Sequence, residues 1–194
     1  MTGKMKDKSE LILEAALQVF AELGYHRAPV SRIAKAAGVA DGTIYLYFKS
    51  KEDILITLIR GKLGELVDKF RESVSQSDHP RDAIRTMCRI HYTELERNRA
   101  LAMVTQIELR QSDLELRRAI GHAVKPYIRL IEQVLLKGME MKVFRDDLDV
   151  KLIRHLLFGA MDEVVTTWLI AERPYSLSAQ VDGTVDFFLL AIER

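Results

Sequence analysis

The sequence predicts an all-α protein of about nine helices, and three observations carry that prediction. Apolar residues recur at spacings of three and four in one segment after another, the period of a helix with a single buried face. No stretch of useful length alternates apolar and polar residues as a half-buried strand would. Gly24, Pro29, Gly38, Pro80 and Pro174 stand between the periodic segments and punctuate them.

Each element has its own signal. Leu11, Ile12, Ala15, Ala16, Val19, Phe20 and Leu23 give a first helix over 9–23, closed by Gly24, which accepts positive φ. Pro29 suits the first position of a second helix, where a missing N–H costs nothing. Ile33, Ala34 and Ala37 form that helix's apolar face, and Gly38 stops it. A third helix starts at Asp41 or Gly42 and ends near Phe48. Ser50 and Asp53 then read as a helix-start pair, the hydroxyl capping an amide while the carboxylate faces the positive helix end. The fourth helix reaches about Ser73, and the polar loop 75–80 marks the border between head and body. A fifth helix spans 80–97 with Ile84, Met87, Cys88, His91 and Leu95 inward, and a sixth covers about 101–111. A seventh covers about 113–139, and Pro126 within it removes an amide donor and predicts an interruption or kink. After the charged turn 145–149, helices over about 150–171 and 177–193 complete the chain. The expected domains are a head, 1–51, and a body, 52–194, joined by the helix over 52–73.

Composition narrows the function. Of 194 residues 48% are hydrophobic, enough for real cores, yet no 18-residue apolar run marks a membrane span. The N-terminus lacks the charged-then-apolar pattern of an export signal. The single cysteine, Cys88, can form no internal disulfide and reads as a small buried hydrophobe. A cytoplasmic location with no membrane partner is therefore expected. Residues 1–51 hold eight Lys/Arg against five acids, net +3, whereas the remainder is net −2; a mildly basic head suits phosphate contact. No nucleophile elbow, Walker loop or dinucleotide glycine fingerprint occurs. None of the five histidines pairs with another at metal-binding spacing, and the adjacent Asp162 and Glu163 diverge by about 100° on a helix. An enzyme is not expected, nor a metal, nor any cofactor beyond an effector ligand.

The most informative stretch is 31–51, SRIAKAAGVADGTIYLYFKSK. Two short helices around a glycine turn, with a lysine-flanked exit into a third, have the layout of a helix-turn-helix that offers its second helix to the DNA major groove. Ile44 and Phe48 share one face, expected to pack on Leu23, Ile33 and Val39. Thr43, Tyr45, Leu46 and Tyr47 take the remaining arc, where a tyrosine hydroxyl can bond phosphate while its ring meets sugar or a thymine methyl. Gly42 allows close backbone approach, and Lys51 in the next helix's first turn is expected to anchor phosphate. With Ser31, Arg32, Asp41 and Lys49 these are the candidate DNA-binding residues. The competing reading is an ordinary amphipathic helix with half-buried tyrosines.

The elements Phe20-Ala-Glu-Leu-Gly-Tyr25, Ile33-Ala34, Ala37-Gly38-Val39, Gly42-Thr43-Ile44-Tyr45, Tyr47-Phe48 and Lys49-Ser50-Lys51-Glu52 resemble the N-terminal domain of TetR-family transcriptional regulators over about 11–58. The resemblance implies a TetR-like fold: a three-helix helix-turn-helix domain, then a helical ligand-binding and dimerisation domain. It also implies a homodimer whose heads lie about one DNA turn apart, roughly 34–36 Å, on a double-stranded operator. A small-molecule effector that fits only the mispositioned state draws the population off DNA. Pro29 departs from the pattern, standing where members often carry a helix-capping threonine, and Ser31 is expected to substitute. A narrower likeness adds Gly24-Tyr25-His26, Ala28-Pro29-Val30-Ser31, 40–48 and Asp162-Glu163-Val164-Val165-Thr166-Thr167-Trp168. It is to the FadR-type members of Gram-positive bacteria and Thermus relatives, which repress fatty-acid degradation operons and release DNA on binding long-chain acyl-CoA. That implies an effector with an apolar tail and a phosphate-rich head.

In the family the last two helices pair with their symmetry mates. Gly159 and Ala160, with Val181, Val185, Phe188, Leu189 and Ile192, are the expected dimer surface, unless both helices are merely core. Periodicity offers Tyr92, Met103, Ile107, Tyr127, Ile131, Met161 and Trp168 as cavity walls. Arg81, Arg85 and Arg89 form a stripe on the fifth helix, with Arg110 further on: either a solvated face or a seat for an anionic head group. A repressor sensing another hydrophobic ligand, or a lipid carrier without DNA affinity, are the alternatives.

Overall fold

The computed structural model describes residues 7–75, 79–108 and 114–194. Among them are nine α-helices: α1 (Lys8–Leu23), α2 (Val30–Ala37), α3 (Asp41–Tyr47), α4 (Lys51–Ser75), α5 (Pro80–Arg97), α6 (Arg99–Met103), α7 (Leu114–Glu140), α8 (Val150–Ile170) and α9 (Val181–Ile192). No strand is found among the described residues; one antiparallel bridge joins Phe144 to Glu193.

The punctuation acts largely as the sequence implies. Gly24 (φ 78°) and Gly38 (φ 68°) both take positive φ, and Gly38 closes α2 by donating to the Ala34 and Lys35 carbonyls. Pro29 precedes α2 in an extended conformation, one position earlier than expected. The Asp53 amide donates to Ser50 Oγ at 3.2 Å, and the Asp53 carboxylate accepts from the Lys49 amide at 2.9 Å. Two segments depart from expectation. α7 runs unbroken through Pro126, which sits on the exposed side, where water can reach the carbonyl one turn back that its missing N–H leaves unpaired. The sixth helix is short and passes into a π turn, Val104–Glu108. There Thr105 Oγ1 donates to the Leu101 and Ala102 carbonyls at 2.9 and 3.2 Å, drawing acceptors out of the regular ladder.

Two apolar cores result, and the head core extends past residue 51. The head core joins Ile12, Phe20, Ile33, Ile44 and Phe48 to Ile54, Leu55, Leu58 and Ile59 of α4. It also takes Val104 of the π turn and Leu116, Ile120 and Ala123 of α7. The body core gathers α4 from Leu66 onward with α5, α7, α8 and α9, and Leu63 and Leu101 touch both cores. α4 is thus a shared spine. Late in the chain Phe144 folds back so closely that its ring fills the space a Cβ on Gly138 would occupy.

The final helices correct one expectation. Val181, Val185, Phe188, Leu189 and Ile192 are buried in the body core rather than displayed. α9 is tied to α5 through Arg85, which pairs with Asp182 and, at 2.7 Å, with Asp186, and through Arg81 with Glu193. The outward side of α9 carries Gly183, Phe187 and Leu190, the last two 69% and 86% exposed. On α8, Leu152, Leu156, Gly159 and Ile170 are exposed along one stripe.

Candidate nucleic-acid interface and body cavity

The head separates its third helix into two faces. Ile44 and Phe48 lie in the core with Ile33, and Leu23 and Val39 pack against it. Tyr45, Leu46 and Tyr47 are 59%, 82% and 42% exposed. The two tyrosines are thus each about half exposed, and between them Leu46 projects almost wholly into solvent. Ser31, Arg32, Asp41, Gly42 and Lys49 are also exposed, and Thr43 is half-buried.

Lys51 is the exception. Its ammonium donates to the carbonyls of Tyr25 (2.9 Å), His26 (3.1 Å) and Ala28 (3.3 Å) and lies 4.7 Å from the Tyr25 ring centroid. All three ammonium protons are committed to the α1–α2 turn, so Lys51 holds that turn together rather than reaching out to a phosphate. Tyr25 in turn stacks edge-on against Phe20 at 5.4 Å.

Beneath the head, α4, α5, α6, the π turn, α7 and α8 enclose a cavity of about 220 Å³. Leu63, Leu66, Leu95 and Phe158 make its walls largely apolar. Its rim carries Lys62, Glu65, Lys69 and Glu94, with Lys69 paired to Glu94 at 2.6 Å across α4 and α5. Polar groups line it deeper in. His91 Nδ1 is 3.2 Å from the Tyr127 hydroxyl, and Gln106 donates to Asp162 Oδ1 at 2.7 Å. Burial pushes the His91 imidazole down to about 4 against the smaller opposing pull of Asp162, and burial holds the Tyr127 hydroxyl well above its usual range. Both are neutral near pH 7. The unfolded chain takes up a proton on this imidazole near 6.5 while the folded chain does not. Stability is therefore undiminished above pH 6.5 and falls by roughly 3 kcal/mol as pH drops toward 4. Thermal midpoints from pH 7.5 to 4.5 should show this decline in the wild type and a smaller one in His91→Phe.

Of the walls proposed from periodicity, only Tyr127 lines this cavity. Tyr92 turns toward α9, its hydroxyl 3.1 Å from Thr184 Oγ1. Ile131 and Met161 lie in the body core, and Met103 and Ile107 pack on its edge. Trp168 donates to the Tyr175 carbonyl at 3.0 Å beneath the Arg99 guanidinium. Arg85 is engaged by α9, Arg89 is exposed away from the lining, and Arg110 falls outside the described residues. Periodicity tells inward from outward, and most inward positions are core rather than cavity. The residue it undervalued is His91, an inward polar group on an apolar stripe. Thr105 and Gln106 reach the cavity through a π turn that 3.6-residue spacing does not foresee. Cys88 is buried, and desolvation pushes its thiol up to about 12, which leaves it inert.

Residues 12–58 match the family described as bacterial regulatory proteins, tetR family, and residues 59–191 match the C-terminal region of YsiA-like protein. The chain belongs to the TetR family. It is 41% identical over 183 residues to the fatty acid metabolism regulator protein of Bacillus subtilis (strain 168), covering 94% of each chain. Its structure is similar to that of the fatty acid degradation regulator FadR from Bacillus halodurans (TM-score 0.90, 44% identity, 93% of this chain and 97% of that one). It is also similar to FadR from Bacillus subtilis in complex with stearoyl-CoA (TM-score 0.91, 41% identity, 93% and 97% covered). This TetR-family protein is a helix-turn-helix DNA-binding regulator related to the fatty acid metabolism regulators, not an enzyme. Among its described residues no helix is long and apolar enough to cross a membrane.

Proposed function

We propose that the protein is a cytoplasmic homodimeric repressor of fatty-acid degradation genes, released from its operator when a long-chain acyl-CoA enters the body cavity. One observation carries this reading: the cavity and the head core share a wall. Thr105 and Gln106 of the π turn line the cavity, while the preceding residue, Val104, is fully buried in the head core against α1. α7 behaves likewise, with Tyr127 and Val124 at the cavity and Ala123, Ile120 and Leu116 in the head core. A tail that displaces these side chains must also shift the seat of α1, and with it the direction of α3. The likeness to a regulator solved with stearoyl-CoA supports the effector class. Lys62 and Lys69 at the rim, paired with Glu65 and Glu94, can exchange those carboxylates for its phosphates, at a place the arginine stripe does not hold.

On DNA, the exposed surface of Ser31, Arg32, Asp41, Gly42, Tyr45, Leu46, Tyr47 and Lys49, with the half-buried Thr43, meets the operator. The apolar stripes of Leu152, Leu156, Gly159 and Ile170 on α8 and Phe187 and Leu190 on α9 support pairing about a two-fold axis. The test is fluorescence anisotropy of an operator duplex. Stearoyl-CoA should release the protein and free coenzyme A should not, and operator affinity should fall steeply with salt, as counterion release requires. Indifference to both ligands would remove the effector while leaving the repressor, and absence of specific duplex binding would favour a carrier.

A further inference from the structure

The polar depth of the cavity asks for more than an apolar tail. His91 is 5% exposed and lines the cavity, and its Nε2 finds no hydrogen-bond partner within the protein. Among the described residues it is the only buried cavity-lining side-chain atom so left. The Tyr127 hydroxyl lies 3.2 Å from Nδ1 and can donate to it; in that tautomer the imidazole proton sits on Nε2. A buried N–H without an acceptor is costly, and the neighbouring Gln106 side chain donates to Asp162 and accepts from the Thr166 hydroxyl. His91 stands one turn of α5, about 5 Å, from Glu94 at the rim. In an acyl-CoA threaded tail-first, the thioester carbonyl is the acceptor next to the apolar chain and so the first to meet a donor inside the cavity.

We propose that His91 Nε2–H donates to the thioester carbonyl of the effector, so that the cavity recognises the acyl–sulfur junction as well as the chain. The inference rests on the acyl-CoA reading above. Two probes separate them: palmitoyl-CoA and its S-hexadecyl thioether, in which a methylene replaces the carbonyl. Wild-type protein should bind the thioester about tenfold more tightly than the thioether in calorimetric titration. His91→Phe should lower thioester affinity to the thioether's level and leave the thioether unchanged. Since a core variant can fail to fold, the wild type carries its own readout: in protein labelled with 15N-histidine, the Nε2–H resonance should move downfield with palmitoyl-CoA and stay in place with the thioether. Equal wild-type affinity for the two ligands, or a preference that survives in His91→Phe, overturns the assignment to His91 while acyl-CoA stands as effector. If neither ligand binds the wild type, the effector reading falls and this inference falls with it.

Discussion

Replacing Tyr47 with alanine should lower operator affinity roughly 10- to 100-fold, the range expected for a side chain that meets bases or phosphates, while thermal stability barely moves. Tyr47 lies on the displayed face of α3 and belongs to neither apolar core. Alanine is moreover the best helix former, so the helix itself loses nothing. The core positions Ile44 and Phe48, one turn apart on the opposite face, should behave in reverse, losing fold and binding together. Anisotropy with an operator duplex beside a thermal melt checks the pair. A Tyr47→Ala protein that binds as tightly as the wild type would mean that α3 does not read the groove.

Lys51→Ala should be the largest single loss of stability in the head outside its apolar core. The ammonium satisfies three carbonyls of the α1–α2 turn, at 2.9–3.3 Å, from 23 to 26 residues away in sequence. Its removal leaves two of those acceptors, the Tyr25 and Ala28 carbonyls, part-buried and only partly reachable by water, a cost of about 1–3 kcal/mol, or roughly 2–12 °C for a chain of this size. Operator affinity should fall as well, because the turn sets where α2 and α3 stand. The salt dependence tells the two roles of Lys51 apart. If it staples the turn, the slope of log affinity against log salt is unchanged in Lys51→Ala. If it binds a phosphate, the slope shrinks by about one and the melting temperature holds.

The head is largely legible from the order of its residues, because its signals are local. Gly38 must accept a left-handed turn, Ser50 and Asp53 cap within four residues, and Ile44 and Phe48 fall on one face by spacing alone. The role of the Lys51 side chain is not legible in this way. Its partners are carbonyls of a turn more than twenty residues distant, and backbone acceptors leave no trace in residue identity. The body is legible as helices but not as a site. Ile131, Met161 and Tyr92 satisfy the same inward periodicity as Tyr127, and nothing in the order of residues says which inward face meets a neighbour and which meets a void. The arginines of α5 illustrate the same limit, since Asp182 and Asp186 arrive from the far end of the chain to occupy Arg85.

Residue order alone therefore determined what depends on spacing within a few turns: the succession of helices, the helix-turn-helix and its displayed tyrosines. Tertiary packing decided which sides of α8 and α9 face outward, where the cavity lies, and that Val104, Thr105 and Gln106 bind it to the head. The reason is physical. A helix's period is set by its own hydrogen bonds, whereas a cavity is space left between helices brought together from distant parts of the chain.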